Sequence, residues 1–315
     1  MNKSLFNLLF LFIFTISFSQ SNQTLEMAKS MSKPDLQISD LSNFVSNNIS
    51  DKKEIAKFYY YWISLNISYD FEKRDKFKTI EPTDEELNNS VNPYLIFDEK
   101  KAICIGYSNL FKLFMDSSKI ECKIISGHAK TLENLTLEPE LDENFRHAWN
   151  SIKINNSWLL IDTTWAQQFE KNISDYYFNT KPERLILSHY PEEEKWQLLT
   201  KPVSINHFNK QPYVHSLYFN TGFGELPKLT ADTEYYYIEF PKNESKNWLT
   251  KLTYDSGSII NESIFPEYEK RLNTNLFKFK KNQLPKKSTL NVVVSYFDWK
   301  KQTKAEYKDV IKYQL

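Results

Sequence analysis

The chain has 315 residues, with 40 Lys plus Arg against 40 Asp plus Glu, so no global field gathers a polyanion and no nucleic-acid partner is expected. Its only cysteines, Cys104 and Cys122, exclude a disulfide framework; one bridge between them is the most that an oxidising compartment allows. Aromatic residues make up 16% of the composition, which marks a core-forming chain long enough for two domains rather than a disordered one.

The N-terminus carries one cation, Lys3, then an apolar stretch from Leu5 to Phe18 broken by Asn7 and a few hydroxyl residues, with small Ser17 and Ser19 beside Phe18. This is the pattern of a secretory signal over residues 1–19. A membrane anchor is the competing reading, but a spanning helix needs roughly 20 apolar residues and this run is shorter. No Cys follows it to accept a lipid. The mature chain is therefore expected to be secreted or periplasmic/extracellular, with no stable membrane span.

Asp51-Lys52-Lys53-Glu54 has capping-box spacing and precedes Ile55, Phe58, Tyr59, Trp62 and Ile63, apolar at helical intervals, which predicts a helix over 51–66. Thr83-Asp84-Glu85-Glu86 is a second capping box, and the charged stretch from Phe71 to Pro82 between them reads as a loop. Apolar Leu110, Phe111, Leu113 and Phe114 predict a helix from Cys104 to Ser117 whose first turn holds the thiol. There, free N–H groups and the helix dipole lower a thiol pKa and favour an oxyanion. Gly106 permits close backbone approach by substrate or by a neighbouring strand, or reflects simple tight packing. Alternation in Ile120-Glu121-Cys122-Lys123-Ile124 makes Cys122 a small strand hydrophobe beside core.

Arg146–Ile154 and Trp158–Thr164 are strand-like around the turn cluster Asn155-Asn156-Ser157. If the loop is the two residues Asn155-Asn156, Ile154 pairs with Ser157, and counting back sets His147 opposite Thr164 and Trp149 opposite Asp162. His147 and Asp162 then share a face as diagonal neighbours; a loop of odd length puts them on opposite faces. A short helix is expected from Thr180 to about Ser188, with Pro182 in its first turn. From His207 the texture changes to strand-like runs at Glu234–Phe240, Trp248–Tyr254, Leu276–Phe279 and Leu290–Phe297 separated by turn residues, which predicts an all-β domain over 207–315.

Cys104, His147 and Asp162 supply a thiol, an imidazole and a carboxylate in that order. A thiol attacks carbonyl carbon as thiolate, an imidazole takes its proton, and a carboxylate fixes the imidazole's tautomer and orientation. His128 is a rival base; its bland reading is an exposed polar residue at a strand end, since no carboxylate run pairs with it. His189, His207 and His215 lack the spacing of a zinc site and read as structural. Trp149 and Trp165 read either as substrate-channel walls or as core. No acidic twelve-residue calcium loop is present, so neither a metal nor another cofactor is expected.

The blocks Cys104-Ile105-Gly106-Tyr107-Ser108, His147-Ala148-Trp149-Asn150 and Asp162-Thr163-Thr164-Trp165 resemble the transglutaminase-like superfamily, with most likeness to its kyphoscoliosis-peptidase branch. Asn66-Ile67-Ser68-Tyr69-Asp70 upstream and Tyr177-Phe178-Asn179-Thr180 downstream extend the likeness over about residues 50–200. The resemblance implies an α+β fold: a papain-like core of N-terminal helices packed on an antiparallel sheet over residues 20–206, then the smaller sandwich-like domain. It also implies Cys104 as nucleophile, His147 as base and then acid, Asp162 as its orienter, and a protein or peptide amide as substrate. Some members of the branch have lost catalytic residues, so two functions stay open. One is an exported cysteine peptidase, deamidase or acyl transferase; the other is a non-catalytic scaffold that docks another envelope or extracellular protein.

Overall fold

Asp51 sets the first long helix by accepting hydrogen bonds from the N–H groups of Lys53 and Glu54, both at 2.9 Å. In the computed structural model, which describes residues 23–132, 134–136, 146–167, 173–221, 223–243, 248–300 and 302–315, the signal segment expected at 1–19 lies outside the described residues. The chain divides into two compact units. One comprises Met1–His128, Pro139–Leu185 and Pro191–Pro202; the other comprises Ala129–Glu138, Ile186–Tyr190 and Val203–Leu315. Among the described residues, no helix is long and apolar enough to cross a membrane.

The first unit begins with α1 (residues 23–30), α2 (Ile38–Asn48) and α3 (Lys52–Asn66). The apolar face of α3 is buried from Phe58 to Ile63, with Ile55 partly buried: Tyr59 stacks on Phe114 with ring centroids 4.3 Å apart, and Trp62 stacks on Phe97 at 5.2 Å. Next, β1 (Ser68–Tyr69) runs parallel to β2 (Lys101–Ala102), with Tyr69 opposite Ala102. The stretch read as a loop after Tyr69 is instead a helix, α4 (Phe71–Thr79), none of whose residues is buried. No apolar period announces it, because its helicity comes from the Asp70 cap on the Lys73 N–H and from Lys76 and Lys78 near its negative end. The second capping box forms as expected at Thr83 and Glu86, opening α5 (Asp84–Val91), and α6 (Pro93–Glu99) follows with Pro93 at its first position.

Then α7 (Cys104–Ser117) packs against an antiparallel sheet whose strands in this unit run in the order β6 (Phe178–Thr180), β5 (Ser157–Ile161), β4 (Arg146–Ile154) and β3 (Cys122–Ala129). Asn155 and Asn156 both take positive φ, 48° and 63°, making the two-residue primed turn whose twist matches a hairpin. Ile154 accordingly pairs with Ser157, and the register continues to Asn150 with Ile161. The strand expected to reach Thr164 ends at Ile161, since the Asp162 N–H turns to the Tyr177 carbonyl. The expected helix over 180–188 is the single turn α8 (Pro182–Leu185), because the buried run Leu185-Ile186-Leu187-Ser188 has no helical polar face to show water. A short strand, β7 (His189–Pro191), follows.

The second unit is built on two antiparallel sheets. One has the order β13 (Glu267–Lys270), β14 (Thr274–Lys280), β10 (Tyr235–Pro241), β9 (Lys228–Ala231). The other has the order β12 (Ile259–Ile264), β11 (Trp248–Ser256), β15 (Thr289–Asp298), β16 (Thr303–Gln314), β8 (Tyr213–Val214), with α9 (Ile205–Lys210) ahead of β8. Ile238, Phe240 and Phe279 of the first sheet share a core with Leu252, Val292, Val294 and Ile311 of the second. The fold class is thus α+β followed by an all-β, sandwich-like region.

Candidate active site

Cys104 is the first residue of α7, so its sulfur meets the positive end of that helix. It is partly exposed and free, as is buried Cys122; the bridge that would have silenced the nucleophile is absent. Gly106 is a packing requirement. A Cβ there would stand 2.8 Å from Ile96 Cδ1, 2.9 Å from Ala102 Cβ and 3.0 Å from the Ser90 carbonyl oxygen, so only glycine lets α5, α6 and β2 close against the thiol-bearing turn.

His147 and Asp162 meet as the hairpin parity requires: His147 Nε2 lies 2.8 Å from Asp162 Oδ2, both side chains buried. The other carboxylate oxygen accepts from the Thr164 N–H at 2.8 Å and the Trp165 N–H at 3.1 Å, which locks the acid in place. With Nε2 on the acid, Nδ1 is left for sulfur, and the imidazole is hydrogen-bonded to Cys104. Burial pushes the Cys104 thiol up, but the hydrogen bond to His147, its charge and the Ala148 N–H outweigh it and hold the thiol below its ordinary value. Burial opposes charge on His147 as well; the Asp162 carboxylate overrides it and raises the imidazole well above 6.5. The pair favours thiolate and imidazolium.

Both tryptophans left ambiguous in sequence touch the imidazole. Trp149 lies near-parallel to the His147 ring with centroids 6.0 Å apart, and Trp165 is tilted at 5.3 Å. Trp149 is also core, while Trp165 is half-buried. A further residue escaped the sequence reading: buried Asn150 donates to the Ser108 carbonyl at 3.1 Å and tethers the helix of the thiol to the strand of the imidazole. Nothing in its type or spacing announces this, since the contact spans 42 residues.

The rival base does not enter the cluster. His128 is buried at 6% exposure, not exposed as expected, because it sits within β3 rather than beyond its end. Gly127 pairs with His147, so the neighbouring His128 faces the other side of the sheet. Of the remaining histidines, His207 is exposed on α9, His215 accepts the Leu217 N–H, and buried His189 shares a hydrogen bond with the Ser188 hydroxyl. Burial lifts the Cys122 thiol to about 12, which suits the inert core residue expected.

The chain is similar to known proteins over its first unit. Residues 39–163 match the transglutaminase-like superfamily. Kyphoscoliosis peptidase of Mus musculus is 29% identical over 169 residues, covering 51% of this chain and 24% of that protein. Hillarin of Drosophila melanogaster is 30% identical over 135 residues, covering 37% of this chain and 16% of that protein. The chain thus spans about a quarter of the length of the kyphoscoliosis peptidases it matches. A crystal structure of a TGase aligns over 52% of this chain and 37% of that chain at 16% identity, with a TM-score of 0.31. Cys104, His147 and Asp162 all fall inside the span of residues 39–163 that matches the transglutaminase-like superfamily.

Proposed function

We propose that the protein is an exported cysteine enzyme that acts on protein amide bonds through a thioester at Cys104. The observation that carries this reading is the hydrogen-bonded chain from Cys104 through His147 to Asp162, with the thiol held low and the imidazole held high. The sulfur pair forms the new C–S bond at the amide carbon while the C=O electrons move onto oxygen; N–H groups in the first turn of α7 are the nearby donors proposed for that developing charge. Collapse of the tetrahedral species expels the amine or ammonia, which takes its proton from His147. Water, deprotonated by His147, then attacks the thioester and returns Cys104 as thiolate. That gives peptide hydrolysis or glutamine deamidation; a lysine amine in place of water gives a cross-link.

Labelling by iodoacetamide at neutral pH tests the activated thiolate. Wild type should label rapidly and His147→Ala about tenfold or more slowly, since the mutant thiol reverts toward its ordinary acidity. Equal slow labelling of both proteins would leave only a binding scaffold. Mass spectrometry of an amide-containing peptide pool after incubation then reads cleavage, a deamidation shift or an amine adduct. Sequencing the mature terminus tests export, and an intact Met1 in envelope material would overturn it.

A further inference from the structure

Phe71 is an apolar side chain that the fold orders without burying. It opens α4 with 60% of its surface exposed, although a large core lies in the same unit. Its ring packs edge-on against Tyr69 with centroids 4.9 Å apart, and the Arg74 guanidinium lies 5.2 Å from it. Tyr69 stands opposite Ala102, two residues before Cys104, and its ring lies 6.4 Å from that of Tyr107 in the first turn of α7. Its phenol is held up by burial first and then by the negative charge of Cys104.

The aromatic pair is anchored from the same side. Asp70, between the two rings, gives its N–H to the Ala102 carbonyl at 2.9 Å, accepts the Lys73 N–H at 2.9 Å and pairs with Lys101 at 3.1 Å. Phe71 therefore keeps a fixed relation to the strand that leads into Cys104. The surrounding charges are balanced: Lys73 and Lys101 pair with Asp70, Lys101 also with Glu72, and Arg74 with Asp75. Three cations face three carboxylates, so nothing there selects a charged group.

We propose that Tyr69 and Phe71 wall a subsite for an apolar side chain, aromatic or branched aliphatic, lying within one residue of the amide that Cys104 attacks. The inference rests on the acyl-transfer reading above and narrows its substrate class. An apolar occupant removes its own surface and the open face of Phe71 from water together, whereas a serine or aspartate side chain gains nothing there and loses hydration.

The test uses chloromethyl ketones of acetyl-Gly-Xaa and acetyl-Xaa-Gly, with Xaa Phe, Leu, Ser or Asp, and reads the rate of Cys104 alkylation by intact mass. In at least one register wild type should react about tenfold faster with Phe and Leu than with Ser and Asp, a discrimination typical of one apolar pocket. Phe71→Ser should reduce that ratio to about threefold or less, and Phe71→Trp should retain it. Because Phe71 is largely exposed, its replacement removes little core, and comparing ratios within each variant cancels any general change in reactivity. A flat ratio in wild type in both registers, or an unchanged ratio in Phe71→Ser, overturns the subsite. Iodoacetamide labelling that does not depend on His147 overturns the acyl-transfer reading instead, so the two failures are distinguishable.

Discussion

Asp162 carries two tasks on one carboxylate: Oδ2 holds His147 Nε2, while Oδ1 holds the backbone at Thr164 and Trp165. Asp162→Asn separates them. The amide oxygen still accepts the two backbone N–H groups, but the amide nitrogen then opposes a ring nitrogen that should donate, and the charge that raises His147 is lost. Burial of Cys104 then has less opposition, so the thiol titrates at higher pH. In wild type the folded thiol sits below 9.0, so alkylation should rise with pH at a midpoint under that value; in the mutant, with the imidazolium lost, the midpoint should move up. Peptide turnover should fall by about four orders of magnitude, as when a triad acid becomes an amide elsewhere. An unmoved midpoint would mean that the acid does not control the pair. The three polar members were legible in sequence because their chemistry is rare in combination. Trp149, Trp165 and Asn150 were not, because an aromatic or an amide on a strand has the same signature whether it touches core or imidazole.

One turn decides which face of the sheet the acid occupies. Asn tolerates the left-handed backbone that both turn residues need, and the two-residue count places Asn150 across from Ile161, the residue before Asp162. Inserting one Gly between Asn155 and Asn156 changes the count to odd. If β5 keeps pairing with β4, every side chain on it changes face and Asp162 leaves His147. Iodoacetamide labelling of the insertion variant should drop to the rate of His147→Ala, with the far-ultraviolet circular dichroism retained. Labelling at the wild-type rate would show that a bulge absorbs the extra residue and that parity does not fix the site. This element was readable because turn chemistry and alternation are local. Helix α4 was not, since its exposed charged sequence carries no period, and its start is set by Asp70, which also answers to Lys101 thirty-one positions on.

At the scale of the whole molecule, balanced formal charge hides one costly cation in the second unit. Lys130 is fully buried; its Nζ donates to the carbonyls of Phe208 at 2.9 Å and Gln211 at 2.8 Å, at the end of α9, and lies 4.4 Å from the Phe208 ring centroid. Those partners are 78 and 81 positions away, which is why composition and alternation could show the strands of this unit but not its buried lysine. Two carbonyls match the two N–H bonds of a neutral amine, and burial lowers Lys130 from 10.5 to about 8. The folded state therefore gives up this proton before the unfolded state does. Between about 8 and 10.5 the unfolded chain holds more protons, so stability rises with pH across that window; below about 8 the full cost of the buried charge is present. At about 1.4 kcal/mol per pKa unit, that cost is on the order of 3 kcal/mol. Lys130→Met keeps the straight side chain but leaves both carbonyls without their donor, so it should be less stable than wild type at pH 10. The gap between the two should narrow as pH falls to 7, because only wild type carries the titrating amine. Urea unfolding at pH 7 and pH 10, read by hydrogen exchange of the central strand Thr289–Asp298, measures the gap directly, and other groups that titrate in this range cancel between the proteins. A gap that stays constant from pH 7 to pH 10 would mean that Lys130 remains charged in the folded state, held by its two carbonyls and the aromatic face.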